Sequence, residues 1–265
     1  MNKDNVKLLF RKIHNKYIVN YSRMLDEDTF LRNASTNRLF ENKRIYKVPL
    51  SHIKTSRLLV AWVNSLKDAS HVEDVRKRIS HNVFGFQPTC VADVLGIEPS
   101  KSWHALSALH TVYPWETISP DAIHLRRREM MANEVLEHGL KGRLDDTDWK
   151  GFGPASEKLL DLESQRLYRV FCSIKEEGFL RRYGVIRARV FEAEGTVLIR
   201  CGWHRVAALI ACGYNWVPGL FERGCEVVRR GDVKDWGNVK NGLFSVREAL
   251  EIFDRDFFSI TRHLP

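Results

Sequence analysis

In this 265-residue chain, the segment whose residue types and order best suit chemistry is Cys201-Gly202-Trp203-His204-Arg205. Residues 196–200 before it alternate as a strand, and residues 206–212 after it form an almost wholly apolar helix closed by Gly213. A strand that passes through glycine into a helix aims the amides of the first helical turn, and the positive end of the helix dipole, at one point. Phosphate oxygens are the natural occupants of that point. Gly202 lets a ligand approach the backbone closely, while His204 and Arg205 add hydrogen-bond donors and charge. The same spacing also serves a plain tight turn in which Arg205 pairs with a neighbouring carboxylate.

The elements that must position this turn are legible on both sides of it. In residues 184–191, Ile186, Ala188 and Val190 share one face and Arg187 and Arg189 the other, Glu192-Ala193-Glu194-Gly195 turns, and the next strand runs to Arg200. The pattern predicts a β-hairpin. Upstream, residues 157–177 place Leu160, Leu167, Phe171 and Ile174 on one helical face, with Gly178 as the stop. Ser119 and Pro120 supply an N-cap and a first-turn proline for a helix from 120 to about 138, and residues 111–116 read as a strand or an extended entry to it. Between the two helices, residues 139–156 combine five Gly or Pro residues with Asp145, Asp146, Asp148 and Trp149, the composition of a lid or exposed loop.

Residues 6–24 interleave bulky apolar residues with Lys7, Arg11, Lys12 and Lys16, as an amphipathic helix with a cationic face does. Such a helix can lie on an anionic membrane surface, clamp a polyanion, or pack on its own domain. Residues 45–63 read as ordered structure, without an assignable fold or role. Net charge is +9, and residues 1–100 carry 17 Lys/Arg against 10 Asp/Glu, so the basic excess is mostly N-terminal and allows non-specific polyanion contact there. No stretch has the roughly 18 apolar residues of a membrane span, and no apolar leader follows Met1, so a cytoplasmic location is expected. The five cysteines lack C-x-x-C pairing and read as free thiols in a reducing compartment; Cys201 alone sits where chemistry is plausible.

The string from Val197 to Leu209, followed by Gly213-Tyr214-Asn215-Trp216-Val217-Pro218, resembles the signature of the ParB/sulfiredoxin superfamily: strand, Gly-x-His-Arg, helix, Gly, strand. The helix bearing Glu163, Arg166, Leu167, Ser173, Ile174 and Gly178, and the segment from Pro114 to Asp121, are similar to the parts that precede that signature. The resemblance implies an α+β fold organised as a mostly helical basic region (1–104), a ParB/sulfiredoxin-like domain (105–235) and a C-terminal helical extension (236–265). The extension opens with the capping box Ser245-x-x-Glu248.

Members of the superfamily differ in chemistry, and this sequence departs from two of them. Sulfiredoxins keep their reactive cysteine where this chain has Trp203, and partition ParB proteins carry a DNA reader for which little chain follows Val217. Members that phosphorylate small hydroxyl compounds, the free-serine kinases, resemble this turn more closely. That likeness implies binding of ATP or CTP with Mg2+ at Gly202, Trp203, His204, Arg205 and Arg200, with Arg187 and Arg189 as further lining. Phosphoryl transfer also needs a carboxylate to orient or deprotonate the acceptor hydroxyl. Asp121 and Glu116 are the candidates, ahead of His204; Glu163 and Arg166 would orient the turn or stand as solvated charges. The expected partners are a nucleotide and a small hydroxyl compound or sugar. A ParB-like nuclease or DNA-binding protein, and a non-catalytic ligand-binding module, are the alternatives.

Overall fold

The computed structural model describes residues 29, 45–55, 57–137, 144–145, 148–179, 186–190, 197–221, 227–255 and 258–259. The expected helix over residues 6–24 and the hairpin turn at 192–195 lie outside the described residues. In chain order the elements are β1 (Ile45–Pro49), β2 (Ile53–Thr55), α1 (Arg57–Leu66), α2 (Val72–Asn82), α3 (Val91–Leu95), α4 (Pro120–Glu137), α5 (Glu157–Glu177), β3 (Ile186–Val190), β4 (Val197–Cys201), α6 (Trp203–Ala211), β5 (Trp216–Leu220), α7 (Gly237–Lys240), α8 (Val246–Arg255) and β6 (Phe258–Ser259), joined in places by short 3-10 turns. The class is α+β. No helix among the described residues is long and apolar enough to cross a membrane.

Two compact units divide the chain, and neither is continuous in sequence. One takes residues 1–55, 169–227 and 259–265 and holds the sheet; the other takes residues 56–168 and 228–258 and is helical. These boundaries differ from the division at 104/105 and 235/236 read from the sequence. They do so because β1 and β2, from the N-terminal region, pair with strands about 144 to 175 residues away. The mixed sheet runs β1-β5-β3-β4-β2-β6. β1 lies antiparallel to β5 (Val48 opposite Val217), β5 parallel to β3 (Gly219 opposite Ile186), β3 antiparallel to β4, and β4 parallel to β2 (Val197 opposite Ile53). The hairpin expected from alternation is therefore present.

Burial explains the pairing. Val48, Ile53, Ile186, Val197, Ile199 and Val217 are almost wholly removed from solvent, and α6 adds Val206, Ala207, Ala208 and Leu209, each at 0% exposure. A helix this apolar is stable only when covered, which explains why its first turn is held at one place on the sheet. At Gly219 a Cβ would stand 2.7 Å from Val48 Cγ2, so the close approach of β1 to β5 requires glycine there.

In the helical unit, α4 begins as the sequence predicts: Ser119 Oγ accepts the Ala122 amide at 3.3 Å, and Pro120 is the first helical residue. α5 spans the predicted 157–177; Ser156 Oγ accepts the Leu159 amide at its start, and Gly178, at φ +72°, ends it. Residues 111–116 form no strand. The chain turns at Pro114-Trp115, Glu116 Oε2 accepts the Tyr113 amide at 3.0 Å, and Asn238 Nδ2 donates to Tyr113 O at 3.0 Å. With those backbone groups satisfied locally and by Asn238, no ladder partner is left for them.

Candidate functional site

The Gly202 turn is built by β4 and α6. Gly202 is the N-cap of α6 at φ +87°, ψ 22°, the left-handed region that glycine enters without steric cost. Its carbonyl accepts the amides of Arg205 at 2.9 Å and Val206 at 3.0 Å, so the amides of Trp203 and His204 precede the first hydrogen bond of the helix. A Cβ at Gly202 would lie 3.0 Å from Arg205 Nη2 and 3.2 Å from Ile186 Cγ1. The Arg205 guanidinium thus folds back over the glycine and sits beside β3. Cys201, Gly202, Trp203, His204 and Arg205 are all partly buried, and Arg187, on β3, is exposed. Arg200 lies in β4, one residue before the cysteine. Nε2 of His204 is buried in the protein, so that nitrogen does not face an incoming ligand.

The arrangement joins the amide end of a helix, a left-handed glycine and a guanidinium folded close over it. These are complementary to an oxyanion such as phosphate. Among the described residues of the sheet unit the carboxylates are Glu176 and Glu177, at the C-terminal end of α5, and none belongs to the turn. The turn offers donors and cations, which suit phosphate oxygens and not Mg2+, a cation that takes carboxylate and phosphate oxygens.

No family model, no curated protein and no solved structure matches this chain.

The other residues singled out by sequence belong to the helical unit. Asp121, in the first turn of α4, has a side chain 93% exposed, with Oδ1 3.8 Å from His110 Nε2. His110 stacks on His124 at 4.2 Å between ring centroids, and burial first, then His110, lowers the His124 pKa. Glu116 is committed to the Tyr113 amide, as above. Glu163 is 1% exposed: Arg166 Nη1 reaches its Oε1 at 2.9 Å and Glu134 Oε2 at 2.6 Å, while Lys150 Nζ reaches Glu134 Oε1 at 2.9 Å. Burial pushes the Glu134 pKa up, but Lys150 and Arg166 outweigh it and hold the carboxyl below its ordinary range. Glu163 and Arg166 are thus not solitary: they join a partly buried four-residue ion network, with Glu163 its one buried member, linking α4, α5 and the segment before α5.

Glu134 and Lys150 of this network, and the histidine pair, escaped the sequence reading. The i,i+3 spacing of Glu163 and Arg166 was a visible signal; their contact with Glu134, 29 to 32 residues upstream, had none.

Proposed function

We propose that this protein is a nucleotide-binding member of the ParB/sulfiredoxin type that holds the phosphates of ATP or CTP at the Gly202 turn and transfers or cleaves a phosphate, with a small hydroxyl compound or a sugar as acceptor. One observation carries the reading: a left-handed glycine opens α6 directly under the Arg205 guanidinium, between a sheet strand and an apolar helix. Helix-start amides held by the fold, with a cation already beside them, lower the cost of gathering phosphate charge. The strand, Gly-x-His-Arg, helix, strand order from Val197 to Pro218 further supports the family resemblance.

In this reading Arg205 and the first amides of α6 bind and orient the phosphates, and His204 braces the turn by packing. Any Mg2+ would be carried by the nucleotide itself, since the described residues at the turn supply no carboxylate. Asp121 and Glu116 belong to the helical unit and take no part in the turn, Asp121 being exposed and Glu116 already holding the Tyr113 amide.

Calorimetric titration of the full chain with ATP and with CTP, each with and without Mg2+, tests the binding. Arg205→Ala should weaken it by about tenfold or more, the scale of one charge-assisted contact, with the circular dichroism spectrum unchanged. Heat from neither nucleotide would remove the reading. Release of nucleoside diphosphate that disappears in Arg205→Ala assigns the cleavage to the turn; release that persists removes the turn from the reaction.

A further inference from the structure

A second anion-complementary place lies in the helical unit, unrelated to the Gly202 turn. Arg127, on α4, carries a mostly buried guanidinium. Its Nη1 donates to Leu109 O at 2.7 Å, and its guanidinium carbon stands 5.2 Å from the centroid of the Trp149 ring. No carboxylate lies within ion-pair distance of it among the described residues. A guanidinium has five N–H donors, and a buried cation without a counter-ion is costly. Burial accordingly draws the Arg127 pKa below its ordinary value, although Tyr113 and Glu116 oppose the shift from a distance.

Arg127 opens on a cavity whose apolar wall is Leu109, Met131, Ala132 and Leu144. Behind that wall stands a small cluster of Ala108, Leu109 and Phe152, with Phe86, Val94 and Trp149 against it. The other charged residues at the cavity are Arg128, Asp145 and Asp148. Asp148 is already satisfied, accepting the Ser156 amide at 2.7 Å, the Ser156 hydroxyl at 2.6 Å and the Asp145 amide at 3.0 Å. Asp145 is exposed, so its negative charge belongs to the mouth and the positive charge of Arg127 to the interior.

We propose that this cavity binds a small monocarboxylate, its carboxylate on the Arg127 guanidinium and its short apolar tail against Leu109, Met131 and Leu144. Size and charge select that class. The volume open to water is about 40 Å³, room for about three or four water-sized groups at roughly 10–15 Å³ each. That fits a carboxylate head with one or two carbons and excludes a nucleotide. The planar fork of Arg127 matches a carboxylate, and the Asp145 charge at the mouth opposes a dianion such as phosphate more than a monoanion. The carboxylate could belong to a free short-chain acid or to a small amino acid, whose ammonium group would then face Asp145.

The test is titration of the full chain with propionate, with alanine and with inorganic phosphate at constant ionic strength, read by calorimetry and thermal shift. Saturable binding of propionate or alanine, with phosphate at least about tenfold weaker, is expected; propionate alone points to a free acid, and alanine the tighter of the two to an amino acid. Arg127→Lys should weaken binding about tenfold by removing the fork, while Arg126→Lys, at an exposed position on the same helix, should leave it unchanged. Asp145→Asn should tighten propionate about two- to threefold by removing a like charge at the mouth, an effect that damage to the fold would not produce. The proposal is overturned if neither carboxylate saturates by about 50 mM, a range where even a weak site of a few kcal/mol would fill. It is equally overturned if phosphate binds as well, or if Arg127→Lys and Asp145→Asn leave binding unchanged.

Discussion

At Gly202 the backbone conformation, the cation and the sheet meet within one residue. An alanine there would take φ to +87°, a region that costs an L-residue about 1 kcal/mol, and its methyl would press on Arg205 Nη2 and on Ile186, which is fully buried. The guanidinium end can swing away; the isoleucine cannot. Gly202→Ala should therefore lower stability by about 1–2 kcal/mol, seen as a lower urea midpoint with an unchanged slope. An unchanged midpoint would mean that the turn is not left-handed. The glycine was legible in sequence because a strand that breaks into a helix at glycine signals positive φ. The fold-back of Arg205 was not, since a side chain's direction depends on the neighbour that β3 supplies.

Among the elements, α5 and α4 contrast in what their sequences disclose. α5 repeats Leu160, Leu167, Phe171 and Ile174 on one face, and its limits at 157 and 177 follow from Ser156 and Gly178. α4 carries Arg126, Arg127, Arg128 and Glu129 in succession, so its start at Pro120 is readable but the identity of its inward-facing arginine is not. Packing decides that Arg126 is exposed and Arg127 partly buried. The same packing couples the two helices through Glu134, Glu163 and Arg166. Replacing Arg166 by leucine removes a cation shared by two carboxylates, one of them 1% exposed, and breaking a buried ion pair costs about 3 kcal/mol or more. Arg166→Leu should be destabilised on that scale in urea, and adding Glu163→Gln should recover part of the loss, because a neutral amide is cheaper to bury than a carboxylate. A double variant no more stable than the single one would show that the loss comes from packing and not from stranded charge.

On the scale of the whole chain, the interleaving of the two units is what the sequence could not disclose, because it depends on contacts more than 100 residues apart. The helical unit is closed by one such set, which ties residues 100–104 to residues 243–248. Ser100 Oγ donates to Glu248 Oε1 at 2.9 Å, Lys101 Nζ lies 3.4 Å from Glu248 Oε2, and Trp103 Nε1 donates to Leu243 O at 3.2 Å. The capping box expected at Ser245 and Glu248 is present, with the Ser245 amide and hydroxyl each 2.7 Å from Glu248 Oε2. The C-terminal helix was thus readable from its cap, but its tether to residue 100 was not.

That tether contains two groups sensitive to acid. His104 is wholly buried, and its Nδ1 accepts the Ser100 amide at 3.1 Å, which places the proton of the neutral ring on Nε2. Burial, helped by Lys101 and opposed by Glu248, lowers its pKa below 6.5. The unfolded chain then takes up a proton that the folded chain resists, so the stability present above about pH 6.5 declines as pH falls towards the folded value. Burial pushes Glu248 up, but the Ser245 and Ser100 hydrogen bonds and Lys101 prevail and hold it at about 2 against an ordinary 4.5. Its contribution, on the order of 2–3 kcal/mol, is complete above about pH 4.5 and is lost as pH falls towards 2. Acidification should therefore loosen α8 in two successive windows, read as faster amide hydrogen exchange in residues 246–255 after correction for intrinsic pH dependence. Glu248→Gln should start less stable at neutral pH and yet lose the lower window, because no carboxylate remains there to protonate. Equal acid slopes below pH 4.5 in the variant and the parent would place the acid sensitivity elsewhere, whereas a flattened slope would identify the contact between Ser100 and Glu248 as the acid-labile closure of the helical unit.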